Sequence, residues 1–291
     1  MQKNRFNLTW ITNREHYDRE SRSNLLGKVL ERDLVNIRRV IDLGCGTGAF
    51  LRWCLTQQLF FDEAKLIDYD RKLLDSVYVH LKSSLKSTKY SIKKVNSREY
   101  LIKNSSNNSQ EMSVIPSKKN ILSSLEEINK YDLVSLSSLS DLLSKNTIRK
   151  LFSNIGRDKY LYFSLCFDGT IKWYPTNKFD KYIENKFNAH QLQDKGFGIA
   201  LGKGSLKYIE LTAKKKSFAC KKKDSSWRIN SLTKGDKIFQ KKYLDIILKA
   251  LKKDNITDKN ILNLWYINRA DKIKSSVSKL VVGHRDIIIK T

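Results

Sequence analysis

Cysteine is scarce. The four residues in 291, Cys45, Cys54, Cys166 and Cys220, form no CxxC pair and have no histidine at zinc-finger spacing, which argues against a disulfide framework, a zinc site or any other metal centre. Long apolar runs are absent too. No stretch of about 18 or more apolar residues occurs, and the N-terminal Met1-Gln2-Lys3-Asn4-Arg5-Phe6-Asn7 lacks the apolar segment of a secretory signal. A cytoplasmic protein without a membrane partner is expected. No internal repeat is found, and no separate RNA-binding module is recognised in spacing or composition.

Acidic residues are few beside basic ones: 56 Lys and Arg against 30 Asp and Glu leave a formal net charge of +26. Taken alone, that charge suggests a phosphate-rich partner, because lysine and arginine release counterions from nucleic acid. Lysine greatly outnumbers arginine, however, and Asn, Ile and Ser are abundant, as expected when an AT-rich genome fills solvated positions. Recognition of phosphate and bases would favour the planar fork of arginine. Nucleic acid is thus possible but not favoured. The clusters Lys214-Lys215-Lys216 and Lys221-Lys222-Lys223 flank Ser217-Phe218-Ala219-Cys220 and read as the solvated ends of a strand.

With 40% hydrophobic residues, the chain can bury a sizeable core as one large domain or one domain with a substantial insertion. A charged helical pattern over 12–35 leads to Val40-Ile41-Asp42-Leu43, a buried strand. Gly44-Cys45-Gly46-Thr47-Gly48 follows, and then a helix from Ala49 to Leu55. Ala64-Lys65-Leu66-Ile67-Asp68 reads as a second strand, completing a βαβ unit. Further strands are expected at Tyr90–Val95, Tyr131–Leu136 and Tyr160–Leu165, with a helix near 144–154. The polar stretch Asn104 to Asn120, which holds Pro116, reads as a loop. This alternation argues for a parallel α/β sheet. Beyond Cys166, residues 167–204 read as an insertion over the sheet edge, with a helix around 178–193. A helix near 205–213, a strand at 217–222, helices between 236 and 276 and a final strand from Lys279 to Ile289 complete the chain.

The strongest motif is the glycine turn. Three glycines in alternation bring backbone N–H groups close to a ligand with no Cβ in the way. Asp68, 24 positions after Gly44 (68 − 44), ends the next strand, where a carboxylate can accept hydrogen bonds from two ribose hydroxyls. A dinucleotide fingerprint would read G-x-G-x-x-G, whereas this chain has G-x-G-x-G. Together, Asp42, Gly44, Gly46, Gly48 and Asp68 resemble motif I of class I S-adenosylmethionine (SAM) dependent methyltransferases. Residues 167–204, Trp227-Arg228 and Val282-Gly283-His284-Arg285-Asp286 resemble an uncharacterised bacterial group within that superfamily.

The resemblance implies a Rossmann-like, doubly wound, seven-stranded and mostly parallel sheet with an antiparallel C-terminal strand and an insertion after the fifth strand. It implies a SAM-binding core over 1–166 with an N-terminal capping helix, a lid-like insertion over 167–204, and completion of the sheet with extra helices over 205–291. SAM is the implied cofactor. Asp42 would contact its amino group, Gly44, Cys45, Gly46 and Gly48 its amino-acid portion, and Asp68 and Tyr69 its ribose side. Ser137 would line the site. Adenine would lie near Asn96-Ser97-Arg98, where the usual acid is missing. One of Arg14, Arg19 and Arg22 would pair with the cofactor carboxylate.

Methyl transfer from a sulfonium requires alignment and, for an oxygen or nitrogen acceptor, removal of a proton. The fourth-strand exit, Ser137 to Asp141, and the fifth-strand exit, Cys166 to Asp168, should face the methyl group. His190 and Asp168 are the candidate general bases, set against a solvated helix histidine and a simple Asp-Gly turn. His284 reads as a structural histidine, and Trp173, Tyr174 and Phe197 as pocket walls or plain packing. No Asn-Pro-Pro-Tyr or Asp-Pro-Pro-Tyr element follows the fourth strand, which lowers amino methylation of adenine or glutamine; the lack of paired cysteines disfavours cytosine carbon methylation. A small metabolite is the expected acceptor. The rivals are an RNA or protein docked on the basic surface, and a SAM-binding scaffold without catalysis.

Overall fold

Val40, Ile41 and Leu43 leave β1 (Arg39–Leu43) no solvent-facing side, and the strand lies at the centre of the sheet with β2 (Glu63–Asp68) and β6 (Leu133–Ser137) as parallel neighbours. In this computed structural model residues 8–23, 27–29, 32–33, 37–254 and 257–291 are described. Outside β1, β2 and β6, the elements are α1 (Leu8–Ser21), α2 (Ala49–Thr56), α3 (Arg71–Leu85), β3 (Tyr90–Asn96), β4 (Glu99–Asn104) and β5 (Asn107–Lys118), then α4 (Lys145–Asn154), β7 (Tyr160–Tyr174) and α5 (Asp180–His190). The chain ends with α6 (Ser205–Lys215), β8 (Ala219–Asp224), β9 (Trp227–Asn230), α7 (Lys234–Asp254), α8 (Lys259–Lys274) and β10 (Lys279–Lys290). Part of the helical pattern expected over 12–35 lies outside the described residues.

The sheet order is β3-β4-β5-β2-β1-β6-β7-β10-β8, with β9 also on β10. β5, β2, β1, β6 and β7 run parallel, while β10 runs antiparallel to β7. The Rossmann-like, mostly parallel sheet with an antiparallel C-terminal strand is what the chain forms. Its size differs from the seven strands expected, since it has ten.

Two differences matter for the site. The stretch read as a loop over 104–120 contains β5, the third parallel strand, whereas Tyr90–Asn96 is an outer antiparallel strand. β5 hides its strand character because only alternate residues, Met112 and Val114, are buried. Pro116 is tolerated there because the pairing with β4 stops at Val114, so no partner on that side needs its missing N–H. The second difference is β7, which does not stop at Leu165 but continues to Tyr174, carried along β10 through a register shift near Gly283.

Helices cover both faces. α2 and α3 bury Phe50, Trp53, Leu74, Val77 and Leu81 against one face; α4 and α6 bury Ile148, Leu151, Phe152 and Ile209 against the other. A third core forms where the extensions of β7 and β10 meet α5, α7 and α8, around Trp173, Trp265, Phe239 and Leu280. Caps set the helix starts: the side chain of Asp70 accepts from the N–H of Lys72, and that of Ser144 from Thr147. No described helix is long and apolar enough to cross a membrane.

Candidate functional site

Because β1 ends beside the end of β2, the chain must turn at once to enter α2, and it does so through Gly44, Gly46 and Gly48, all in the left-handed region at φ 75, 55 and 81°. At Gly44 a Cβ would also stand 3.0 Å from Leu139 and 3.4 Å from Ile121. The N–H groups of Gly44 and Cys45 donate to the carbonyl of Ile67 at 2.8 and 2.9 Å, pinning the turn to β2. The Cys45 thiol is buried, and burial pushes it well above its ordinary range, so it contributes packing and no thiolate.

Asp68 stands where the sequence places it, at the end of β2, but it already has work. Its Oδ2 accepts from Gly46 N–H and its Oδ1 from Asp70 N–H, both at 2.9 Å. Burial raises its pKa, while these backbone donors pull it down. Asp68 therefore shapes the glycine turn besides offering its remaining lone pairs. Tyr69 follows it, half-buried.

Asp42 behaves differently. It is 1% exposed, and neither carboxyl oxygen has a hydrogen-bond partner among the described residues. Ser135 faces it in register across β1 and β6, its own hydroxyl likewise without a partner. Burial pushes the Asp42 carboxyl up to about 7, against the pull of the Ser135 hydroxyl and the Arg22 guanidinium.

Of the three arginines considered, Arg22 reaches deepest. It is 5% exposed and donates to Ser164 and, at 2.6 Å, to Ser137, spanning the ends of β6 and β7. Burial lowers its pKa, but Tyr162, Asp286 and Asp18 more than offset this, and it stays charged. Arg14 donates to Ser138 at 2.8 Å and is bound bidentate by Asp18. Arg19 is exposed beside Glu20. The β6 exit thus meets two guanidinium groups from the N-terminal segment, and Arg22 also reaches β7 at Ser164, well before that strand ends.

α1 lies over the glycine turn. Ile11 is the nearest group to the Cβ position of Gly46, at 4.0 Å, and Glu15 pairs with Arg52 of α2 at 2.5 Å. Arg52 in turn holds the hydroxyl of Thr47 at 3.0 Å. Sequence reading missed this clamp; an arginine in the apolar α2 segment AFLRWCLT was the one available signal.

The loop following the third parallel strand is 118–121, not Asn96-Ser97-Arg98, which forms the β3–β4 hairpin. Lys119 N–H donates to the carbonyl of Asp68 at 3.1 Å, and Asn120 caps the helical turn Ile121–Ser124. The adenine expectation moves with the strand.

The structure separates the two candidate bases. Asp168 sits within β7, accepts from Thr170 N–H at 3.0 Å and faces Arg285 at 3.6 Å. His190 ends α5 with its Nε2 3.3 Å from Lys195 Nζ. Lys195 also acts electrostatically on Asp141, the buried acid after β6, whose carboxyl burial pushes up to about 6 against the pull of Arg14 and Lys195. His284 is buried, its Nδ1 3.1 Å from the carbonyl of Val282, and burial holds its pKa down at about 3, so it remains neutral. Trp173 packs edge-on against Trp265 in the third core, and Tyr174 is exposed.

No family model matches the chain, and no curated protein matches it. Among solved structures it is similar to the YcgJ protein of Bacillus subtilis, at 13% identity and a TM-score of 0.48 over 94% of this chain and 98% of that one. It is also similar to a SAM-dependent methyltransferase of Thiobacillus denitrificans bound to S-adenosyl-L-homocysteine, at 10% identity and 0.43 over 92% and 90% of the two chains. A third similar structure is coclaurine N-methyltransferase bound to N-methylheliamine and S-adenosyl-L-homocysteine, at 12% identity and 0.40 over 92% and 70%.

Proposed function

We propose that the chain is a SAM-dependent methyltransferase. The observation that carries this reading is Asp42: a buried carboxyl group that faces only the Ser135 hydroxyl and makes no close hydrogen bond through either oxygen among the described residues, beneath a glycine turn and near a buried guanidinium. Leaving such a group unsatisfied costs roughly 1–3 kcal/mol, so a position of this kind fits a ligand that brings its own donor. The methionine end of SAM carries an ammonium and a carboxylate side by side, matching Asp42 and Arg22 in charge. Asp68 would hold the ribose, and the Lys118–Ile121 loop would border the adenine.

SAM would supply the electrophilic methyl carbon. The protein's part is alignment, exclusion of water and disposal of a proton. α1 lies close over the glycine turn, and Arg14 and Arg22 hold Ser138, Ser137 and Ser164, an arrangement that suits a small acceptor group presented singly. A small metabolite is the simplest molecule to carry one. Two candidate bases remain, Asp168, which already accepts from Thr170 and faces Arg285, and His190, which lies beside Lys195.

Isothermal titration with SAM and S-adenosyl-L-homocysteine tests the cofactor assignment. Both should bind the wild type, and Asp68→Asn and Asp42→Asn should each weaken binding at least about tenfold, or 1.4 kcal/mol, while still melting cooperatively. Unchanged affinity in both variants would remove the site. Incubating a metabolite extract with labelled methyl donor then identifies the acceptor.

A further inference from the structure

The basic charge is not spread evenly. α4 carries three basic residues and no acid (KNTIRKLFSN), α6 three and one acid (SLKYIELTAKK), and β8 three and one acid (ACKKKD). Every one of these basic side chains is exposed. Both acids are already paired: Glu210 with Lys222 at 2.5 Å, and Asp224 with Arg228 and Arg285. α7, by contrast, mixes seven lysines with three aspartates. A genome-wide lysine bias predicts the mixed pattern everywhere, not a face nearly cleared of uncompensated acid.

The three elements form one continuous surface. Phe152 of α4 stacks on Phe218 at 6.3 Å, and the Glu210–Lys222 pair joins α6 to β8. β8 pairs only with β10 among the described strands, and all six of its residues are exposed. Lysines on a free edge guard against edge-to-edge pairing, yet that role needs none on α4 or α6. Two half-buried rings lie among the charges, with Lys145 Nζ 5.9 Å from the Tyr208 ring and Lys216 Nζ 5.9 Å from that of Phe218. The start of α6 also lies near the β6 exit, since Ser205 stands 3.4 Å from Ser140 beneath the surface.

We propose that the face formed by α4, α6 and β8 binds single-stranded RNA along its sugar-phosphate backbone and leads the strand to the crevice rim. Ammonium groups serve as point charges toward phosphates without reading sequence, and partly exposed rings among them suit unstacked bases. A ribose strand offers a 2′-hydroxyl beside each phosphate, a second acceptor for an ammonium with three donors. That this RNA, in place of a small metabolite, bears the methyl acceptor rests on the methyltransferase reading; the binding itself does not.

Fluorescence anisotropy with a fluorescein-labelled 20-nucleotide oligouridine tests the proposal on the full chain across a potassium chloride series. The variant Lys150→Glu/Lys215→Glu/Lys221→Glu removes one charge site from each element. It should weaken binding at least about 30-fold and flatten the log–log salt slope by roughly 2, at about 0.7 per lost single-strand contact. A control with the same charge change on α7, Lys234→Glu/Lys249→Glu/Lys252→Glu, should stay within about threefold of wild type. Equal losses in both variants, no binding at physiological salt, or tighter binding of oligothymidine or polyglutamate would each overturn the assignment. SAM titration of the first variant should match wild type, so a failed cofactor site and a failed RNA surface are told apart.

Discussion

A carboxyl group held at about 7 by burial makes the ligand-free protein sensitive to pH at one position. The folded pKa of Asp42 lies above its ordinary 3.8, so the folded state keeps the proton when the unfolded chain has already lost it. Stability from this group is fully present below about pH 4 and is lost as pH rises toward and through about 7. Asp42→Asn removes the ionisable proton, and the variant should therefore melt well above the wild type at pH 8, by a smaller margin at pH 5, and close to it only below about pH 4. Each unit by which the carboxyl is raised corresponds to about 1.4 kcal/mol. Ligand binding should show the opposite face of the same linkage. An ammonium beside Asp42 favours the carboxylate, so SAM affinity in the wild type should weaken as pH falls below about 7, by up to about tenfold per unit. A pH-independent difference in melting temperature between the two proteins would show that Asp42 is not the titrating group.

Among the elements, α1 bears most directly on the site, and its grip depends on Glu15 and Arg52, whose side chain is only 6% exposed. Glu15→Ala leaves Arg52 with Thr47 alone and removes the link between α1 and α2. Amide exchange over Leu8–Ser21 should then speed up by about tenfold or more, equivalent to about 1.4 kcal/mol of lost local protection, with little change in β1 or β6. Exchange as slow as in the wild type would mean that the other contacts of α1, those of Trp10, Arg14, Tyr17 and Asp18, hold it without the Glu15–Arg52 link. Partners 37 residues apart are invisible to periodicity, which is why the sequence suggests a capping helix only through resemblance. The core of the site was legible because strand, glycine turn, helix, strand and Asp68 are contiguous and each has its own local signal. β5 was not, because its run Asn107–Lys118 begins polar and is broken by Pro116, and so carries the composition of a loop although it lies between β4 and β2. Its misassignment also displaced the expected adenine loop by some twenty residues along the sequence, although β1, β2 and β6 were placed correctly.

At the scale of the whole molecule, the C-terminal strand closes the structure onto its beginning. Asp286 of β10 is fully buried and accepts from Ser23 N–H at 3.0 Å, from the Tyr162 hydroxyl at 3.0 Å and from Leu165 N–H at 2.8 Å. One side chain thus joins the segment after α1, the fifth parallel strand and the last strand, and its charge helps keep Arg22 protonated at the crevice. Nothing local in Val282–Asp286 announces this, since all three donors lie more than a hundred residues away in sequence. Asp286→Ala would orphan three donors and leave a buried guanidinium short of its counter-charge, a combination that costs on the order of 3–5 kcal/mol. Tyr162→Phe removes one donor and its hydroxyl only, at about 1 kcal/mol. Urea denaturation with an unchanged m value should therefore rank the midpoints wild type, Tyr162→Phe, Asp286→Ala in falling order. Because only Asp286→Ala removes a carboxylate charge that acts on Arg22, SAM affinity should drop sharply in that variant and little in Tyr162→Phe. Equal affinity in both would confine Asp286 to folding and detach the C-terminal strand from the site.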